Sequence, residues 1–274
     1  MKHGTLYIEK KSPIHSLDGS IKLLMMLIWT AIVFMFLDIR IFIGMILGGS
    51  YLVKKSKITL KEVKPLIIFL LIFTFFNSLF LIIVTPNAGN DLLEKMTPVF
   101  QYKNYTLSLE TLWFALTLSF KYLAILPITI IFIFTTHPSK FASSLNKIGI
   151  SYRVAYAVNI ALRYIPDVQR EFTNIMHAQE ARGVAFRKGE ANLITRLKNY
   201  NTILIPLLIS SLNRIDTVSN AMNLRGFGTN KTRTWYNGKK YEKLDFIALI
   251  LLFIGTIVGI IVSRLYLTGF WYPF

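Results

Sequence analysis

The chain has 274 residues, 53% of them apolar, no cysteine, and a formal net charge of +17. Uninterrupted apolar runs of spanning length make it an integral membrane protein, and the lack of cysteine excludes disulfides and thiolate metal sites while leaving the redox compartment open. The charge does not point to nucleic acid, because the basic residues cluster between apolar runs, as in loops that face anionic lipid.

Residues 1–19 are polar and mixed in charge, with no apolar core ahead of a small-residue cleavage site, so no signal peptide is expected. A first apolar run covers 23–37, opened by Lys22 and closed by Asp38-Ile39-Arg40. A second, 41–53, barely reaches across a core of about 30 Å and carries Gly44, Gly48 and Gly49, which suggest tight packing. The segment after it holds Lys54, Lys55, Lys57, Lys61 and Lys64 against Glu62, which places it in the cytoplasm. Residues 66–84 carry no charge and form the clearest span. The loop 85–111, with Asp91, Glu94 and Glu110 against Lys95 and Lys103, lacks a positive bias and suits the outside. A fourth run, 112–136, is interrupted by Lys121 and Pro127. A fifth, 246–263, precedes an aromatic tail suited to a membrane interface.

Between the fourth and fifth runs, residues 137–243 hold 17 Lys/Arg against 6 Asp/Glu, which favours the cytoplasm. The expected architecture is therefore an all-α integral membrane protein of about five transmembrane helices. Long cytoplasmic amphipathic helices lie between the fourth and fifth, with the N-terminus inside and the C-terminus outside. The expected divisions are 1–136, 137–243 and 244–274.

Within the cytoplasmic stretch, Pro138 to Lys147 predicts a short helix ended by Gly149, and Ser151 is placed to cap a long one. Val154, Val158, Ala161, Leu162, Ile165, Val168, Phe172, Ile175 and Met176 fall in steps of three and four, one apolar stripe. Pro166 predicts a bend. A third element over 191–224 has an apolar centre at 203–212, too short to span. Leu204, Leu208, Leu212, Ile215, Val218 and Met222 lie on one stripe, which suits a helix along the inner membrane face or under partner helices.

Two of these helices close on the same pattern, 43 positions apart. The first is Ala178-Gln179-Glu180-Ala181-Arg182-Gly183-Val184 and the second Ala221-Met222-Asn223-Leu224-Arg225-Gly226-Phe227. A single Arg-Gly is explained as a helix cap: the cation suits the dipole and Gly takes the left-handed turn. Two copies suggest equivalent docking points, each offering a guanidinium fork to a partner carboxylate. The two readings are compatible.

With these motifs the chain resembles the transmembrane T component of energy-coupling factor (ECF) transporters. Ser12-Pro13-Ile14-His15-Ser16-Leu17-Asp18, continuing to Lys22-Leu23, resembles that family's lead-in to its first span, with Gly19 where the family often has Pro. The resemblance implies the membrane scaffold of an ABC-type vitamin or cofactor importer in a prokaryotic cell membrane. Arg182 and Arg225 would dock on two cytoplasmic ATPase subunits, with Ala178, Ala181, Gly183, Ala221, Leu224 and Gly226 allowing close approach. Val158, Leu162, Ile165, Leu204, Leu208 and Leu212 would form a platform for a separate substrate-binding S component. ATP and Mg would belong to the ATPases, and the chain itself would hold no cofactor and no metal. The unequal flanks of the two motifs favour two different ATPases.

No nucleotide-binding Gly-x-x-x-x-Gly-Lys-Ser/Thr pattern occurs, so the chain is not its own motor. His3, His15, His137 and His177 are scattered and are expected in polar surface or loop positions. Lys121 has no acidic partner within the spans, so snorkelling or a polar-loop contact competes with a functional role. The alternatives are a secondary transporter, which needs a polar site at the midplane, an intramembrane enzyme, or a permease subunit of another ABC class.

Overall fold

In a bilayer every backbone polar group must be satisfied within the chain, which leaves helices for the apolar runs. The computed structural model describes residues 7–90, 97–102, 105–186, 189, 191–230, 234–235, 238–266 and 270–273. His3, Asp91, Glu94, Lys95, Lys103 and Asn237 lie outside the described residues. A short helix α1 (Pro13–Ser16) leads into α2 (Gly19–Met35), α3 (Ile39–Lys55) and α4 (Leu60–Val84). An antiparallel hairpin follows, β1 (Pro98–Tyr102) with β2 (Tyr105–Ser108), then α5 (Leu109–Thr135). Next come α6 (Pro138–Lys147), α7 (Tyr152–Ala181), α8 (Leu193–Asn199), α9 (Asn201–Leu224) and α10 (Lys243–Tyr266).

The five apolar runs thus become α2, α3, α4, α5 and α10. Of these, α4, α5 and residues Lys243–Ile261 of α10 are long and apolar enough to cross a membrane. Helices α2 and α3 have 17 residues each, about 25 Å of helix, which falls short of a core of about 30 Å.

The described residues divide into two compact units, one within Leu6–His137 and Lys239–Phe274 and the other within Pro138–Gly238. In the first, α5 is the central helix, packed by α2, α3 and α4. One core cluster joins Val33, Phe42 and Ala124; another joins Ile58, Val63, Ile130 and Phe134. Of the three glycines in α3, Gly49 makes the close approach: a Cβ there would sit 2.5 Å from Cβ of Pro127, whereas Gly44 and Gly48 face open space. Lys121 places its Nζ 5.0 Å from the centre of the Phe34 ring, a cation–π contact.

The lead-in segment is a polar knot. Ser12 caps α1, and its hydroxyl lies 2.7 Å from Nδ1 of His15, whose Nε2 is 2.9 Å from the Ile8 carbonyl. Burial, aided by the Lys22 and Lys10 charges, holds the His15 imidazole below its ordinary pKa despite the Ile8 hydrogen bond. In the neutral ring Nε2 donates to Ile8, so Nδ1 accepts from Ser12. Asp18 caps α2 and is buried; its amide donates to Asp245 Oδ1 at 2.8 Å, at the start of α10. Lys22, 2% exposed, donates to the Thr135 carbonyl at the end of α5. The knot therefore ties together the ends of α2, α5 and α10. His15 is a structural member of it rather than a surface group.

Asp245→Ala leaves the buried Asp18 amide without its acceptor, at a cost of about 1–3 kcal/mol. Thermal unfolding in detergent micelles should show a lower midpoint for Asp245→Ala and a smaller shift for Asp245→Asn, which keeps one acceptor oxygen.

Candidate docking site at two helix ends

In the second unit, α6 packs on α7 and α7 on α9. Ser151 caps α7 through the Val154 amide, and α7 continues through Pro166. The element expected over 191–224 is two helices, α8 and α9, jointed at Tyr200. Tertiary contacts set the joint: Asn199 donates its amide to the Ala185 carbonyl at 2.8 Å, and the Tyr200 ring packs 5.6 Å from buried Phe186.

Helices α7 and α9 run antiparallel. Glu171 meets Ser210 and Arg214, whereas Gln179, further along α7, meets the Thr202 carbonyl, nearer the start of α9. The crossing is polar. Arg214 donates to Glu171 Oε2 at 2.6 Å, Ser210 donates to the other carboxylate oxygen, and the Arg214 guanidinium lies over the Tyr164 ring. None of these contacts is legible in the sequence, because each joins residues 39 to 50 positions apart on helices whose rotation is set only by packing.

Both Arg-Gly pairs form the same C-cap. At the end of α7, Gly183 N–H donates to Glu180 O at 2.9 Å and Val184 N–H to Gln179 O at 3.0 Å. At the end of α9, Gly226 N–H donates to Asn223 O at 2.9 Å and Phe227 N–H to Met222 O at 3.0 Å. This is the Schellman arrangement, with glycine in the left-handed region at φ +85° and +64°. Gly149 ends α6 with equivalent bonds, so the cap alone is not the distinguishing feature. What the two ends share beyond it is the Arg. Arg182 and Arg225 are both exposed, and neither guanidinium has a hydrogen bond or ion pair among the described residues. Ala178, Ala181, Ala221 and Leu224 are exposed beside them, Leu224 to 90%.

The chain leaving each tip is pinned to the other helix element. After Arg182, buried Phe186 has its carbonyl bound by Arg196 of α8 at 2.9 Å. After Arg225, Phe227 packs between Tyr152 and Tyr156 at the start of α7, and Arg153 donates to the Gly228 carbonyl at 2.7 Å. The second tip thus lies beside the start of α7 and the first at its end. They are separated by about 40 Å of helix at 1.5 Å per residue.

On the other predicted surface, Val158 and Leu162 are half-buried and Ile165 is exposed. Leu204, Leu208 and Leu212 are 45%, 63% and 60% exposed, which leaves an apolar face open to a partner or to lipid. Ile203, Leu207, Ser210 and Arg214 instead face inward, and the α9 stripe read from the sequence divides: Leu204, Leu208, Leu212 and Ile215 are exposed, whereas Val218 and Met222 are half-buried. Among the described residues no three His, Asp or Glu side chains gather as a metal site.

The profile of a family described as cobalt transport protein matches residues 10–236. The energy-coupling factor transporter transmembrane protein EcfT of Lactococcus lactis is 31% identical over 271 residues, covering 94% of this chain and 96% of the relative. Its counterpart in Clostridium kluyveri is 32% identical, covering 95% and 96%. The chain belongs to this family. The matched region takes in both Arg-Gly ends and, of the polar knot, Ser12, His15, Asp18, Lys22 and Thr135. Family membership favours a transporter component over the secondary-transporter and enzyme alternatives.

An added Cβ at Gly183 meets nothing within 4 Å, so the cost of Gly183→Ala is conformational, about 1–2 kcal/mol for a left-handed non-glycine residue. Hydrogen–deuterium exchange should show faster exchange at the amides of Gly183 and Val184 in Gly183→Ala, with the start of α7 unchanged.

Proposed function

We propose that the chain is the non-catalytic membrane scaffold of an ATP-driven ECF importer. Arg182 and Arg225 dock on two cytoplasmic ATPase subunits that hold ATP and Mg, and a separate S component captures the substrate. The observation that carries this reading is the pair of identically capped helix ends at opposite ends of one antiparallel crossing, each exposing a guanidinium with no partner among the described residues. A rigid helix pair with a cation at each end can engage two copies of a related partner at once and move when they close. Both relatives are energy-coupling factor transporter transmembrane proteins, which supports this role. The Lys-rich segment after α3 and the 17-to-6 basic excess of 137–243 support a cytoplasmic placement of these helices. With five crossings that orientation puts the N-terminus inside and the C-terminus outside.

Removing or reversing one partner of a desolvated charge pair typically costs about 2–5 kcal/mol, roughly thirtyfold or more in affinity. Arg182→Glu and Arg225→Glu should each weaken copurification of the ATPases, and the double variant should abolish uptake while remaining in the membrane. Undiminished copurification and uptake in the double variant would refute the docking assignment.

The exposed face of Leu204, Leu208 and Leu212, with Val158, Leu162 and Ile165 of α7, is the proposed platform for the S component. Burying one leucine side chain is worth roughly 1.5–3 kcal/mol, so Leu208→Glu should lower S-component retention about tenfold or more with both ATPases still bound. Because Leu208 is 63% exposed, the substitution should leave the fold intact. Joint loss of ATPases and S component would sink the assignment.

A further inference from the structure

The two helix ends differ in what surrounds the arginine. Beside Arg225 lies a cavity of about 430 Å³ walled by Tyr152, Tyr156, Phe227 and Trp235. The rings brace one another: Tyr156 is 4.8 Å from Phe227 and 6.3 Å from Trp235. The Trp235 indole N–H is already used, donating to Asn146 Oδ1 at 3.0 Å, so only the ring is offered to the cavity. Arg163 lines the same cavity as Arg225; it is exposed and, like Arg225, has no hydrogen bond or ion pair among the described residues. Among the described residues no Asp or Glu lines it. Two guanidinia sharing an aromatic-walled recess repel each other, and the repulsion grows as the recess is closed off from water. A carboxylate placed between them removes that repulsion and accepts from both forks.

The first end has the opposite character. Glu180 lies two residues before Arg182, its carboxylate 3.2 Å from Nδ1 of His177, where the second end has Asn223. The two ends therefore differ in charge at the position two residues before the arginine, a carboxylate at the first and a neutral amide at the second.

We propose that the cavity is a receptor for an acidic side chain of one ATPase subunit, held between Arg163 and Arg225 against the aromatic wall. The second helix end thereby selects a partner surface that the first end disfavours, and the ATPase pair is fixed in one orientation. The inference rests on the docking role proposed above and adds Arg163 and the aromatic wall as the selective elements.

The absence of cysteine allows single photo-crosslinkers on Asn174→Cys and Thr217→Cys, equivalent exposed positions two turns before the two ends and outside the docking residues. Crosslinks to the ATPases are then quantified in the assembled transporter. Arg163→Glu should lower the yield from position 217 at least tenfold and leave that from 174 within twofold. Arg163→Lys, which keeps the charge and loses the fork, should fall between. Trp235→Ala should also weaken only the second end. Arg163 is exposed, so an unchanged unfolding midpoint is expected in each Arg163 variant. If Arg182→Glu and Arg225→Glu leave both crosslinks intact, the docking reading itself fails. If they weaken docking but Arg163→Glu changes neither crosslink, or lowers both equally, the receptor is refuted and docking stands. A loss seen in nanodiscs with anionic lipid but absent in pure phosphatidylcholine would make a lipid headgroup the occupant and also overturn the proposal.

Discussion

Glu171 reaches from α7 to Ser210 and Arg214 of α9, and the spacing of the two arginine tips depends on that crossing. Apolar side chains at a helix crossing tolerate a slip of one turn at modest cost. A carboxylate that accepts from a guanidinium and a hydroxyl tolerates none, because any other register strands a half-buried charge. The side chains of Arg214 and Glu171 are 35% and 20% exposed, so the pair adds little net stability by itself and acts mainly as a register lock. With the register fixed, the C-terminus of each helix is carried to the far side of its partner's start. The chain leaving each tip can then be pinned there by Phe186 or Phe227.

The division of labour inside each tip follows from the same logic. Glycine supplies the left-handed turn that closes the cap, and the two capping hydrogen bonds satisfy carbonyls the helix would otherwise leave bare. The cap needs nothing from the arginine side chain. A residue that stabilises the fold by its side chain would be found holding a partner, as Arg153, Arg196 and Arg214 do. Among the described residues Arg182 and Arg225 hold none, in a unit where other cations are engaged. That contrast, rather than the presence of an Arg-Gly pair, is what supports the docking proposal.

What was legible in the sequence is what local chemistry decides. The apolar runs, the Ser151 cap, the Gly149 stop and both Arg-Gly ends depend on residues within one or two turns, and each is found where the pattern puts it. The joint at Tyr200 was not legible, because it is made by Asn199 and Tyr200 reaching back to Ala185 and Phe186. The apolar steps through Leu204 to Met222 read as one stripe, since a helical period cannot say which of two adjacent apolar faces meets the neighbouring helix. Glu171, Ser210 and the cavity wall were missed for a related reason: an acidic residue on an amphipathic helix looks like a solvated face until its partner is known. The lead-in motif was recognisable as a pattern, but its physical content is buried. Lys22 and Asp18 are held because they join three helix ends.

That burial bears on how the membrane unit stays together. In lipid, apolar surface gains little by leaving the bilayer for a neighbouring helix, so packing and polar contacts must hold a bundle. Helix α5 has the packing, including the approach at Gly49 and Pro127. Helix α10 does not: only 6% of its apolar window is buried. It is tied at one end by Asp245 to Asp18. The tail beyond its other end is held by the Trp271 carbonyl to Trp113 and by Tyr272 to the fully buried Glu110. A helix anchored at both ends and bare between them is stable only where something apolar covers its length, and lipid suffices. Because the tethers are polar and sit at the ends, the bare middle can exchange one apolar neighbour for another without loosening the bundle.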